Sequence, residues 1–432
     1  MKKKKTYLTA FMLLSFMTVA FPAFAEDTLT LDESINLALN NNEQIQAAAS
    51  GVEAAKWNFA KAKGEKNMSV NLSHTSSEVG GKYWNVFYLY DLPTKYFMNS
   101  VSAAMPIYTG GRIESTIKKA ELGTQISELD LENTKQDIKF QTTKDYYDIL
   151  ACQSFQMVRE EAVKQLAEHL KNVETQYAVG TATKADMLRS EVELANAKQA
   201  LITAENNTKK AVSAFNQVIG LPIQNNTGIK DSLTYEPNDY KLDACMAYAF
   251  THRPDELASQ KAVKQAELSI KTAEANKKLN VSFNALYGTY DTKIDRFDTK
   301  QWMVGVTANI NVFDGNITKS GVKSAENLLD QTRHQANNIH NIVELSVQNA
   351  YLDMQRAESN ILATKAAVAK AKEDFSLAQA RYGVNLGTNL DVMDAQVAFT
   401  LARSNYIQSL YDYNVSKAEL EKAIGKTAEI KD

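Results

Sequence analysis

The chain has few of the residues from which small cross-linked or metal-stabilised folds are built. Its 432 residues include 2 cysteines, 6 prolines and 17 glycines, which excludes a disulfide framework, a cysteine-based zinc site and a collagen-like chain. Cys152 and Cys245 stand in helical patterns without a neighbouring histidine or cysteine. We interpret both as buried apolar side chains, although export would leave a disulfide chemically possible.

An excess of charge of one sign is also absent. The chain has 48 basic and 51 acidic residues, so it lacks the basic footprint of a nucleic-acid-binding protein. It has no phosphate-binding glycine loop, nucleophile elbow or dinucleotide fingerprint, and its 5 histidines lack metal-ligand spacing. We therefore predict a protein that is not an enzyme, with no catalytic residues, no metal site, no cofactor and no nucleic-acid partner.

The first 25 residues have the three parts of an export signal. Residues 2–5 are lysines, residues 8–20 are mostly apolar, and Ala23 and Ala25 are the small residues that a signal peptidase requires. A membrane anchor is the alternative, but the apolar run is shorter than the ~20 residues that cross a bilayer. No longer apolar run follows, and Glu26 rather than a cysteine stands after the cleavage site, so no lipid anchor is expected.

The rest of the sequence is an internal duplication of one structural unit. Residues of the first half match residues 205 positions later without gaps over a long helical stretch. The matched pairs include Tyr146 and Tyr351, Tyr177 and Tyr382, Asp186 and Asp391, and Gly220 and Gly425. We predict a signal peptide at 1–25, a first structural repeat at 26–220, a linker at 221–240, a second repeat at 241–425 and a tail at 426–432.

Each repeat is expected to contain a helix, two strands and a long helical region. The first helices are expected at about 32–63 and 243–277, and the strands at about 68–77, 96–108, 279–290 and 301–313. In the last strand every even residue from Trp302 to Val312 is apolar, and this period of two predicts one apolar face. No proline stands between residues 113 and 179, so one helix of ~65 residues and about 100 Å is expected.

The last helix of each repeat carries a heptad seam of alternating large and small residues, as close helix packing requires. The seams run through Met187, Ser190, Leu194, Ala197, Leu201, Ala204, Thr208, Ala211, Phe215 and Val218, and through Val392, Ala395, Phe399, Ala402, Tyr406, Ser409, Tyr413, Ser416, Leu420 and Ala423. We therefore predict that the long helices form a coiled coil or a tube.

The apolar strand faces have two possible explanations. They could pack on the helices as a small soluble sheet, or they could contact lipid. The helices have apolar seams of their own, and strands of about ten residues have the length of a tilted outer-membrane span. Because every backbone amide must be paired in lipid, spanning strands must close into a barrel, and four strands are too few. Lipid contact therefore implies that several chains share one barrel.

Four segments resemble those of a known family. Residues 381–396 read RYGVNLGTNLDVMDAQ, their counterparts at 176–186 read QYAVGTATKAD, and PIYTGG at 106–111 pairs with VFDG at 312–315. The chain resembles the outer-membrane efflux protein family, the TolC-like channels, over essentially its whole exported length. The resemblance implies an α+β membrane protein and a homotrimer. Each chain would add four strands to a shared outer-membrane β-barrel and long antiparallel helices to a periplasmic α-helical coiled-coil barrel.

The same resemblance implies a function and partners. The expected function is the outer-membrane channel-tunnel of a tripartite export system in a Gram-negative-type (diderm) cell. This passive duct for drugs and toxic compounds would be driven by an inner-membrane transporter of RND, ABC or MFS type through a periplasmic adaptor. A duct for type I protein secretion and a soluble periplasmic coiled-coil protein are the alternatives.

The resemblance also assigns roles to residues at two chain reversals, near 179–183 and 384–388. Gly180 and Asn385 favour the left-handed backbone of a helix end. By resemblance these turns form the periplasmic tip that docks the adaptor, although ordinary helix–helix turns would look the same. The docking residues are expected to be Gly180, Thr181, Asn385, Leu386 and Gly387.

A periplasmic gate is expected beside the second turn. Asp391 and Asp394 are three residues apart on one helix face, and by resemblance they point into the channel, where mutual repulsion among three copies would raise some of their pKa values. The alternative is a pair of acids favoured by the helix macrodipole. The resemblance further assigns a gate latch to Asp186 and Tyr382. The arginine of some family members falls at Gly387 here.

Overall fold

The structure is a computed structural model that describes residues 28–78, 82–84, 89–91 and 95–428. The predicted signal peptide at 1–25 and the last four residues of the predicted tail lie outside the described residues. The two halves contain the same α-helices and long strands in the same order; the first half adds a short hairpin and the second a 3₁₀ turn. The first half contains α1 (Leu31–Asn41), α2 (Glu43–Gly64), β1 (Ser69–Glu78), β2 (Lys82–Trp84), β3 (Leu89–Asp91), β4 (Lys95–Thr109), α3 (Arg112–Ala178) and α4 (Lys184–Ile219). The second half contains α5 (Leu242–His252), α6 (Pro254–Glu274), a 3₁₀ turn (Ala275–Lys277), β5 (Asn280–Asp291), β6 (Thr299–Asn309), α7 (Ile317–Gly383) and α8 (Asn389–Ala423).

The long helices are as the sequence predicts. Helices α3 and α7 each have 67 residues and therefore extend about 100 Å at 1.5 Å per residue. Within the part of the chain that the structure describes, no helix is both long enough and apolar enough for a membrane crossing.

The helix that begins each half is broken, which corrects the expectation of single helices at 32–63 and 243–277. In the first half Asn42 ends α1 and caps α2, because its side chain accepts a hydrogen bond from the Gln44 N–H at 2.9 Å. In the second half Pro254 begins α6 and lacks an N–H. Proline also disfavours helical geometry in the residue before it, so Arg253 is extended and α5 ends there.

Strand β6 ends earlier than expected. The sequence predicts a strand through residue 313, but the ladder stops where Asn309 pairs with Asn280, the first residue of β5. Beyond that pair no partner strand continues, so Ile310 and Val312 lie outside the strand, and both side chains are exposed.

The sheet separates apolar from polar side chains. Its antiparallel order is β1-β4-β5-β6, so β1 and β6 are the two edge strands, with no further partner strand among the described residues. Leu72 pairs with Val101, Val101 with Tyr287 and Phe283 with Val306, so these side chains share a face. The apolar residues of that face are Val70, Leu72, Phe97, Val101, Ala103, Met105, Val281, Phe283, Ala285, Tyr287, Trp302, Val304, Val306 and Ala308, and towards one end of the sheet it also carries His74, Ser76, Asn99, Thr289 and Lys300. The other face carries mostly serine, asparagine, threonine and glycine, with Met98, Leu286 and Met303 among them.

The helices leave this apolar face open. The exposed fraction is 82% for Leu72, 75% for Trp302 and 63% for Val306. A soluble sheet packed on the helices would bury these side chains, so that alternative is wrong for this chain. The helices instead pack on one another through the predicted seams, in which Phe215, Val392, Tyr413 and Leu420 are buried.

A lysine on the apolar face should prevent stable insertion, whereas the same lysine on the polar face should be tolerated. Val306→Lys should destabilise the folded trimer in lipid by about 2–4 kcal/mol, because a lysine facing hydrocarbon at mid-depth costs that much. The matched control is Thr307→Lys, one residue away on the opposite face. Urea titration of folding into liposomes, read from trimer migration in gels, measures both, and equal losses would contradict the assignment of faces.

Candidate functional site

The two helical hairpins end in turns of the same design. Gly180 has φ +80° and Asn385 has φ +61°, so both adopt the left-handed conformation. The Thr181 N–H donates to the Gln176 carbonyl at 2.9 Å, and the Leu386 N–H donates to the Arg381 carbonyl at 2.8 Å. These six-to-one bonds close each helix end. The prediction that Gly180 and Asn385 supply the left-handed residue is confirmed.

Each turn is followed by a capping box, in which a threonine and an aspartate exchange hydrogen bonds. Asp186 accepts from the Thr183 N–H at 3.1 Å, and the Asp186 N–H donates to the Thr183 hydroxyl at 3.1 Å. Asp391 accepts from the Thr388 N–H at 2.8 Å, and its own N–H donates to the Thr388 hydroxyl at 3.1 Å. Asp186 and Asp391 are therefore equivalent in structure as well as in sequence.

The capping box determines the charge state of Asp391 in the single chain. The backbone hydrogen bond from Thr388 lowers the pKa of this carboxyl most, followed by the Thr388 hydroxyl, and the Arg381 cation adds to the effect. Within one chain these bonds favour the ionised form; the expected raising of some pKa values concerns repulsion among three copies and stays a prediction.

A groove of 540 Å³ brings the two expected gate acids together at the end of α7 and the start of α8. Asp391 and Asp394 line it, and so do Asp374 and Arg381. Sequence reasoning missed the last two, although they stand seven residues apart on α7 and hence on one helix face. The groove therefore combines three carboxylates with one guanidinium.

The outer surface of the turns is apolar and exposed. The exposed fraction is 71% for Val179, 63% for Val384 and 71% for Leu386. Gly387 lies tightly against the end of α7: a Cβ there would be 3.3 Å from the Cβ of Arg381 and 3.3 Å from the backbone nitrogen of Tyr382. Glycine at this position therefore lets the turn pack closely on α7.

A buried polar network joins the two hairpins next to the groove. His169 Nε2 on α3 lies 2.6 Å from Asn389 Oδ1 on α8. The Asn389 amide donates to the Asp186 carbonyl at 3.1 Å and to the Ser190 hydroxyl at 3.2 Å, both on α4. His169, Ser190 and Asn389 are all buried. The sequence analysis missed His169 and Asn389. Ser190 could have indicated them, because a serine in the apolar seam of α4 needs a buried hydrogen-bond partner.

The two expected latch residues lie near each other without a hydrogen bond between their side chains. Tyr382 is buried, its ring centre is 5.2 Å from that of His169, and its hydroxyl has no hydrogen-bond partner among the described residues. Burial raises the pKa of Tyr382, and the negative charge of Asp186 raises it further. The Asp186 carboxylate is bonded to Thr183 instead.

A model of the family described as "Outer membrane efflux protein" matches residues 34–221 and 248–426. The chain belongs to the outer membrane efflux protein family. Among curated relatives, the outer membrane efflux protein BepC of Brucella suis biovar 1 is 23% identical over 98% of this chain and 91% of its own length. The cobalt-zinc-cadmium resistance protein CzcC of Cupriavidus metallidurans is 22% identical over 95% of this chain and 93% of its own length.

Solved structures of the family share the fold. The outer membrane protein VceC of Vibrio cholerae superposes with a TM-score of 0.82 at 17% identity, over 92% of this chain and 97% of that chain. As a member of the family, this chain is an outer-membrane channel protein of the Gram-negative envelope and not an enzyme. The four-stranded sheet is consistent with one chain's share of a trimeric β-barrel, and the long helices are consistent with the periplasmic helical tunnel of the family's channels.

The left-handed residue of the second turn should tolerate glycine but not alanine. Alanine keeps the Cβ that is unfavourable at positive φ but loses the polar side chain that lets asparagine tolerate it, so Asn385→Ala should destabilise the turn and lie roughly 1–2 kcal/mol below Asn385→Gly in stability. Asn385→Gly, the control, should leave the turn at least as stable. Hydrogen exchange of the amides at 381–391 measures local opening, and equal exchange in the two variants would contradict the assigned geometry.

Proposed function

We propose that this channel is the passive exit duct of a tripartite export system for small molecules. Energy would come from an inner-membrane transporter of RND, ABC or MFS type, coupled through a periplasmic adaptor. The observation that carries the proposal is the exposed apolar tip: Val179, Val384 and Leu386 protrude from two turns that capping boxes make rigid. Exposed apolar residues at the end of ~100 Å helices suit a protein partner.

The adaptor docks on the turns in this proposal. Gly180, Thr181, Asn385, Leu386 and Gly387 form the tips, and the helix-closing bonds and capping boxes on either side hold both turns in one shape. A preformed surface loses little conformational entropy on binding. Docking at the tips would also place the adaptor beside the gate groove, where it could act on the gate.

The groove acids are proposed to form the gate. In a trimer Asp391 and Asp394 supply six carboxylates around the periplasmic entrance, and Asp374 adds three more. Since their negative potential exceeds that of the Arg381 side chains, cations should be concentrated there. Asp186 and Tyr382 belong to the latch, because they lie where the first hairpin meets the second.

The cargo is proposed to be small. BepC is named an efflux protein and CzcC a cobalt-zinc-cadmium resistance protein, and both align with nearly the whole of this chain. A duct for type I protein secretion would need the same tunnel, so the two cargo classes are separated by the experiment below.

Removing the groove charges should weaken cation preference. Asp391→Asn with Asp394→Asn keeps the oxygen that caps α8 but removes six charges per trimer. In planar bilayers under a salt gradient, the reversal potential should move towards zero and block by Mg²⁺ should weaken. Asp243→Asn, an exposed acid on α5 outside the groove, is the control. An unchanged reversal potential in the double variant would remove these residues from the gate.

An export assay tests the proposed function. The chain should restore dye export to a diderm strain that lacks its own outer-membrane channel and carries the matching adaptor and transporter. Leu386→Asp should abolish export at unchanged trimer levels, because a charge at the apolar tip opposes docking, whereas Leu386→Met preserves volume and should retain export. If the chain restores secretion of a protein and not of the dye, the small-molecule proposal is wrong.

A further inference from the structure

The network between the hairpins ties three helices together at one amide group. Asn389 on α8 accepts from His169 on α3 and donates to α4, through the Asp186 carbonyl and the Ser190 hydroxyl. All the side chains involved in these bonds are buried. Asn389 is the first residue of α8 and stands two residues before Asp391, so a movement that breaks the network also moves the groove acids.

The buried hydroxyl of Tyr382 indicates that the two hairpins have a second possible arrangement, in which this hydroxyl forms a hydrogen bond. Its hydroxyl is buried beside His169 and has no partner among the described residues. An unsatisfied buried hydroxyl is destabilising, and that cost disappears in any arrangement that gives the hydroxyl a partner or water. The packing of the two hairpins seen here is therefore destabilised by this hydroxyl, and the His169–Asn389 bond is among the contacts that offset the cost.

We propose that the packing seen here is the closed gate and that His169 and Asn389 are its positioning residues: their buried contact holds the first hairpin against the second while the imidazole is neutral, and protonation, which leaves a cation in this buried site, loosens the packing. The proposal rests on the gate role of Asp391 and Asp394 given above. Neither residue touches the cargo in this mechanism; they act by fixing where α8 begins.

The direction of the pH effect follows from burial. Burial lowers the pKa of His169 below its ordinary value of 6.5, and the bond to Asn389 opposes this only in part. A lowered pKa means that the packing in this structure prefers the neutral ring. The stabilisation is therefore complete above pH 6.5 and is lost as the pH falls through the lowered pKa.

The Tyr382 ring lies against His169. The titratable and charged groups near this level of the surrounding helices are Asp186 on α4, Asp374, Arg381 and Tyr382 on α7, and Asp391 and Asp394 on α8. None of them contributes to the shift in the pKa of His169, which burial and Asn389 account for. The hydrogen bonds from Thr388 lower the pKa of Asp391, which favours its ionised form.

Conductance of the purified trimer in planar bilayers tests the proposal. The open probability of the wild-type channel should rise severalfold when the periplasmic side goes from pH 7.5 to pH 5.5. His169→Gln keeps a hydrogen-bond donor but cannot be protonated, so its open probability should not change. His334→Gln, an exposed histidine on α7, is the control and should respond as the wild type does.

If His169→Gln disturbs the packing between the hairpins, a second variant still tests the proposal. Asn389→Asp places a carboxylate opposite His169, which favours the protonated ring. Acidification should then close this channel, so the sign of the pH response should reverse. A purely structural role for Asn389 would lower stability at every pH without reversing the sign.

The outcomes separate the two proposals. If the wild-type trimer is a cation-selective channel that does not respond between pH 7.5 and pH 5.5, or if His169→Gln responds as the wild type does, the inference about His169 fails and the duct proposal stands. If the trimer forms no channel, both fail. Reversal in Asn389→Asp together with a flat response in His169→Gln supports the inference.

Discussion

The architecture depends on the backbone hydrogen bonds at the edges of one small sheet. Strands β1 and β6 are the edge strands of the described sheet, and in hydrocarbon an unpaired N–H or C=O costs several kcal/mol. The exposed apolar face of the sheet belongs in hydrocarbon, so the edges must pair with other copies of the chain. Closure by three copies then places three sets of long helices in a ring and creates the tunnel and its tip.

The duplication gives two helical hairpins with the same backbone turns and helix caps but with different side chains around them. Both end in the same left-handed residue and the same capping box, but Asp374 stands in the second hairpin where His169 stands in the first, and Tyr177 is exposed where Tyr382 is buried. A common framework lets the hairpins alternate around a tunnel, whereas the differences put acids in one groove and a buried polar network beside it. Three copies of one chain thereby build a ring with distinct inner and outer contacts.

Much of the fold could be predicted from local sequence, because period-two and heptad patterns report directly which side of a strand or helix is apolar. Trp302 and Val306 share a face as predicted, and α3 and α7 have the predicted length. The helix breaks at Asn42 and Pro254 each depend on a single residue, and the periodicity of apolar residues over many positions does not reveal the effect of one residue. The His169–Asn389 bond joins residues 220 positions apart, so local sequence reasoning could not detect it.

The most direct test of the account is a spin-label scan of residues 301–309 in reconstituted trimers. The account predicts that accessibility to oxygen, which concentrates in hydrocarbon, peaks at the even positions, and that accessibility to a water-soluble nickel complex peaks at the odd positions. The same phase for both reagents, or no alternation at all, would contradict the claim that one face of this sheet contacts lipid and the other faces water.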